Sequence, residues 1–121
     1  MLIKIKNIPK IRSYQTLVYK NGNRTFRTKE YMEYFKYFTE NAKFKNISYD
    51  TFVNPINVKI ELNFSDNNFK RADVDNLAKP VLDWMEKDEI IKNDNLIHRL
   101  TIIKQKSSDN TNSINIKIKA K

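Results

Sequence analysis

The chain has 121 residues, 31% charged and 40% hydrophobic, a balance that excludes a disordered tail and predicts one domain, 1–121, with one core. It has no cysteine and a single histidine, His98, which excludes disulfides and thiolate chemistry and leaves too few ligands for a zinc centre or a Ser-His-Asp triad. Twenty-three bases against 14 acids leave a net charge of +9, so a polyanionic partner is expected, while no apolar run is long enough to cross a bilayer and Met1-Leu2-Ile3-Lys4 turns to charge too early for a secretion signal; the expected location is the cytoplasm.

In chain order, Ile3 and Ile5 alternate with Lys4 and Lys6, the period of a half-buried strand that Pro9 closes. Asn21-Gly22-Asn23, with the only glycine, separates 16–19 from 24–26 and predicts a hairpin with Lys20, Arg24 and Arg27 near its tip. From Thr28 the period turns helical: Tyr31, Phe35, Phe38 and Ala42 recur at three- and four-residue steps, Thr28 is placed to cap, and the helix is expected to reach about Lys43. Ile56, Val58, Ile60, Leu62 and Phe64 alternate with Asn57, Lys59, Glu61 and Asn63 in a strand with one wet face. After a polar loop, Leu77, Val81, Leu82, Trp84 and Met85 predict a second helix over roughly 76–87, in which Pro80 demands a late start or a kink. Leu96, His98, Leu100 and Ile102 alternate in a strand whose other face holds Ile97 and Ile103, and apolarity on both faces predicts a central position with His98 packed. Ile114, Ile116 and Ile118 mark a last strand, expected to pair back as a hairpin across the polar turn 106–112. The class is α+β, a mixed sheet of about five or six strands with two main helices.

Charge is unevenly spread. Residues 73–94 hold seven acids and three bases, a net of −4, so the remainder carries +13. Counts alone favour the solvated face of a helix, but a protein that grips phosphates and delivers a cation to one of them needs the same contrast. Asp73 and Asp75 project to one side if the backbone entering the helix is extended, and Asp94, in the turn before the next strand, is expected to return beside the helix start. Three carboxylates in one place repel unless a hard divalent cation joins them, which with these ligands means Mg²⁺ or, as a substitute, Mn²⁺. Lys79 lies four residues after Asp75 and four before Asp83. It either grips the attacked phosphate, steadied by Asp83, or is a rung of a surface ladder worth roughly 0.2–0.5 kcal/mol, and spacing does not decide. Lys4, Lys6, Lys10, Arg12, Arg24, Arg27, Lys70 and Arg71 are candidate phosphate contacts, though each alone equally fits a surface charge. Phe69 is a candidate exposed aromatic, placed to wedge into or stack on nucleic-acid bases, or a residue tucked into core or interface.

The run Asp73-Val74-Asp75-Asn76-Leu77-Ala78-Lys79, followed by Asp83 and by Asp94 in its turn, resembles the signature of the RusA family, Holliday-junction resolvases common in phages and prophages. Outside residues 73–94 the likeness is one of strand order and basicity. The resemblance implies that Asp73, Asp75 and Asp94 bind Mg²⁺ and are required for cleavage, that Lys79 supports it, and that Asn76 and Asp83 lend structural support. It also implies a DNA endonuclease that resolves four-way junctions by paired nicks with 5′-phosphate ends, in recombination and repair. A junction of two-fold symmetry calls for a homodimer. Asn93 departs from the Asp that many members carry there, at the cost of one negative charge. Two other readings stay open: a non-catalytic basic nucleic-acid-binding protein, or a Mg²⁺ nuclease acting on flaps or RNA.

Overall fold

The computed structural model describes residues 1–45 and 50–121. Its first strand, β1 (Leu2–Ile5), buries Ile3 and Ile5 as the alternation requires. A single helical turn, α1 (Tyr14–Leu17), occupies the start of the expected hairpin, which is shifted to β2 (Val18–Asn21) and β3 (Arg24–Arg27), a small sheet of its own. Gly22 sits at its tip with φ +65°, the left-handed turn conformation that glycine adopts without cost. Helix α2 (Lys29–Asn41) starts as expected, the Thr28 hydroxyl accepting from the Tyr31 N–H at 3.2 Å. It stops short of Lys43 because the chain turns extended at Ala42 and Lys43–Lys45 pairs with β1 as a short strand, β4.

Strand β5 (Ile56–Phe64) alternates buried and half-buried residues along its whole length. Helix α3 (Val74–Lys87) neither starts late nor ends at Pro80 but runs through it. The proline has no N–H for the Asn76 carbonyl, a cost of roughly 3 kcal/mol. Six buried side chains of the same helix, Trp84 and Met85 among them, outweigh it, since each large one is worth roughly 1.5–3 kcal/mol. Strands β6 (Ile97–Lys106) and β7 (Ser113–Ala120) complete a five-stranded mixed sheet of order β4-β1-β7-β5-β6.

Two expectations about the sheet are corrected. β6 and β7 do not form a hairpin: β6 runs parallel to β5, and β7 lies on the other side of β5, antiparallel to it. The turn between them passes over the end of β5, where Ser107 N–H donates to the Phe64 carbonyl at 2.7 Å and Ser65 N–H to the Asn112 side chain at 2.8 Å. β6 is therefore an edge strand, not a central one, and His98 is exposed on it, its Nδ1 3.0 Å from Lys121 Nζ.

The buried residues of β1, β5 and β7 all face α2 and α3, whose Tyr31, Phe35, Phe38, Leu77, Val81 and Trp84 complete one core. Trp84 joins the helices: its ring meets Phe38 edge-on at 5.5 Å, and its Nε1–H donates to Asp88 at 2.9 Å and Thr39 at 3.1 Å. The opposite face of the sheet is mostly polar and charged, with Leu2 and Ile103 among its side chains. No helix among the described residues is long and apolar enough to cross a membrane.

Candidate active site

Asp73 is the N-cap of α3 and Asp75 lies in its first turn. Extended backbone ends at Asp73, so Asp75 is already helical. Both are exposed at the positive end of the helix, which by itself stabilises a carboxylate. An N-cap Asp ordinarily accepts an N–H of the first turn, worth ~1 kcal/mol. Asp73 does not, and neither carboxylate has an ion-pair or hydrogen-bond partner among the described residues. Both carboxylates therefore face solvent.

Beside them runs a groove of about 340 Å³, lined by Asp73 and Asn76 and by the bases Lys10, Arg12 and Arg71. Arg12 is fixed by its backbone N–H, which donates to the Tyr34 hydroxyl at 3.2 Å; burial pushes the Tyr34 phenol above its usual pKa, so it stays neutral. The loop entering the site is pinned by Lys104, whose Nζ donates to the Ala72 carbonyl at 2.5 Å.

Lys79 pairs with Asp83 at 3.6 Å, as the spacing suggested, with the Tyr14 ring centroid 5.0 Å from Nζ. Asp83 in turn accepts from the Tyr31 hydroxyl at 2.5 Å, and Tyr14 meets Tyr31 edge-on at 6.2 Å. Lys79 is thus held from two sides while half its side chain stays exposed. Burial, then the hydrogen bond to Asp83, push the Tyr31 phenol well above its ordinary pKa. The sequence marked Tyr31 only by its helical period and showed no sign of Tyr14, since their contacts span distant segments.

The other predicted contacts divide. Arg27 lies over Tyr31 and Phe35, at 4.9 and 5.4 Å, hence close to the Lys79 cluster, whereas Arg24 is out at the hairpin tip. Phe69 leans on Phe64 at 6.2 Å, half-buried against the core, with Lys70 above its ring at 5.9 Å. It is tucked in rather than standing free as a wedge.

Asp94 is where the expectation fails within one chain. It opens the 3₁₀ turn Asp94–Leu96, and its N–H donates to Glu86 Oε1 at 2.5 Å, at the far end of α3. Glu86 lies eleven positions along the helix from Asp75, ~16 Å of axis. The cause is topological: between parallel strands the crossover helix carries the chain back, so the turn before β6 lies at the opposite end of the sheet from the loop after β5. Among the described residues no three carboxylate or histidine side chains are grouped so as to hold a metal ion. Asn93 caps the Asp94 turn, its side chain accepting from Asn95 N–H at 2.9 Å, a task Asn performs as well as Asp.

The family model for endodeoxyribonuclease RusA matches residues 6–119. The chain belongs to the RusA endodeoxyribonuclease family. No curated protein matches it. The RusA match covers the groove, Lys79 and its supports, and all three candidate acids, so DNA cleavage is the activity against which their geometry is to be understood.

Proposed function

We propose that this protein is a Mg²⁺-dependent, structure-specific endodeoxyribonuclease that resolves four-way DNA junctions by paired, symmetric nicks. The observation that carries the reading is the state of Asp73 and Asp75: exposed, unpaired and not used for capping, beside a groove of bases in a RusA-family chain. Asp73, Asp75 and Asp94 fit Mg²⁺ by donor chemistry, being hard oxygen ligands with no competing partner, and would accept Mn²⁺ in its place. Such a cation lowers the pKa of a water and neutralises the attacked phosphate. Lys10, Arg12 and Arg71 hold the phosphodiester along the groove, and Lys79, kept in place by Asp83 and Tyr14, offsets charge growing on the phosphoryl oxygens. Water adds at phosphorus opposite the 3′ oxygen, the P–O3′ bond breaks, and the ends are a 3′-hydroxyl and a 5′-phosphate.

The same reading calls for a homodimer. Edge strands related by a two-fold axis pair antiparallel, so joining β6 to its copy lays the start of one β6, preceded by Asp94 of the partner subunit, along the end of the other, where Lys104 holds Ala72 next to Asp73. An edge strand with apolar residues on both faces and Leu100 40% exposed fits a strand covered by a second copy.

The test is nicking of a synthetic four-way junction with and without Mg²⁺, by the wild type and Asp75→Asn, alongside duplex, flap and RNA substrates at equal salt. The expected result is Mg²⁺-dependent cutting of the junction that Asp75→Asn abolishes while junction binding persists. Binding without cutting at any Mg²⁺ concentration would make the protein a binding module, and equal cutting of flaps or RNA would remove the junction preference.

A further inference from the structure

The face of the main sheet turned away from the helices has no part in the groove just described. Strand register places Lys4, Lys43 and Lys45, from β1 and β4, on this face together with Lys59 of β5. Lys117 and Lys119 of β7 and Arg99 of β6 join them. Against these seven bases the strands of this face place one acid, Glu61, 3.3 Å from Lys59, with Asp109 at the edge in the turn after β6, beside Lys4 and Lys6. Bases outnumber acids by less than two to one in the whole chain, so the enrichment on this face is local.

Its arrangement is also unfavourable for the fold. Lys4 lies directly opposite Lys43, and Lys59 directly opposite Lys117, on adjacent antiparallel strands, where like charges destabilise a sheet. A merely solvated face gains nothing from such pairs and would intersperse the signs. Lys59, Arg99, Lys117 and Lys119 meet around a depression of about 250 Å³ floored by the strands themselves.

We propose that this open sheet face is a second DNA-binding surface, which takes the phosphodiester backbone of a duplex arm while the Asp73 groove takes the strand to be cut. It rests on the nuclease reading, and it assigns a role to residues that reading does not use. The opposed lysines are then close because a run of phosphates neutralises them together, each contact releasing counterions.

The experiment uses Lys43→Gln/Lys117→Gln, one lysine from each opposed pair, leaving the Lys59–Glu61 bridge intact. Affinity for a four-way junction is measured in EDTA, so that nothing is cut, over a range of salt. The slope of log affinity against log salt should become shallower by about 0.9 for each lost phosphate contact. The thermal midpoint should stay level or rise, because like-charge pairs have been relieved. Lys43→Arg/Lys117→Arg should restore the slope. An unchanged slope in the Gln variant, or an Arg variant no better than the Gln one, overturns the proposal while the nuclease reading stands. A wild type that binds no junction in EDTA overturns both.

Discussion

Tyr31 and Asp83, 52 positions apart, share a 2.5 Å hydrogen bond, and the carboxylate that accepts it also holds the ammonium of Lys79. The phenol thereby fixes which way the carboxylate faces, and the carboxylate fixes the lysine. Tyr31 is fully buried, so in the proposed reaction its part is that of a positioning residue acting through Asp83.

Tyr31→Phe keeps the ring, its contacts with Tyr14 and Phe35, and the core volume, but removes the hydroxyl. Loss of one hydrogen bond to a charged group costs roughly 1.5–3 kcal/mol. The cleavage rate at saturating junction should fall several-fold with affinity little changed, since a loosened Lys79 affects the step in which charge grows rather than binding. Equal loss in rate and affinity would mean that the pair supports the fold alone.

The same phenol predicts the alkaline limit. Burial raises the folded-state pKa of Tyr31 and Tyr34, so each stays protonated where the unfolded chain ionises, near pH 10. Their contribution is full below that value and is lost as pH rises above it. Replacing Tyr34 by Phe should move the base-induced unfolding midpoint upward, which a denaturation series followed by circular dichroism would read.

Asp109 sets an acid-side counterpart. Its carboxylate accepts from the hydroxyls of Ser107 and Thr111, at 2.6 and 2.7 Å, and from the Thr111 N–H at 3.1 Å, which pulls its pKa down to about 2. The stability this gives the turn between β6 and β7 is present above the ordinary Asp value of about 3.9 and is lost as pH falls toward 2. Asp109→Asn should flatten the pH dependence of stability across that window.

The proposed sharing of the site between subunits has a genetic-style test. Asp75→Asn and Asp94→Asn chains are each expected to be inactive, but if the proposed dimer draws Asp75 and Asp94 from different chains, mixed dimers would contain one site with both native acids. Mixing should therefore restore single-strand nicking. No recovery on mixing, with dimer exchange demonstrated by mass, would place the three acids within one subunit.

Trp84 links α2 to α3, and its removal tests the core. Trp84→Ala should cost roughly 3–5 kcal/mol, by chemical denaturation, because the cavity lies between Phe38 and two helices that collapse only in part. Trp84→Phe should cost less, as Thr39 keeps its own 2.6 Å bond to Asp88 after the indole N–H is gone.

What the sequence determined by itself was local. Alternation from Ile56 to Phe64 specified a one-sided strand, the Thr28 cap specified where α2 begins, and the spacing of residues from Asp73 to Asp83 specified both the family likeness and the Lys79–Asp83 pair. Each depends on contacts a few residues apart, governed by backbone periods the chain cannot escape. Tertiary structure alone decided that β6 is an edge, that β7 crosses to the far side of β5, that Asp94 stands a helix length from Asp75, and that Tyr31 reaches Asp83. Those outcomes follow from which strands pair and in which direction. Apolar side chains look the same in a sequence whether their own sheet or another surface covers them, and a turn after a helix gives no sign of the end of the sheet to which it returns.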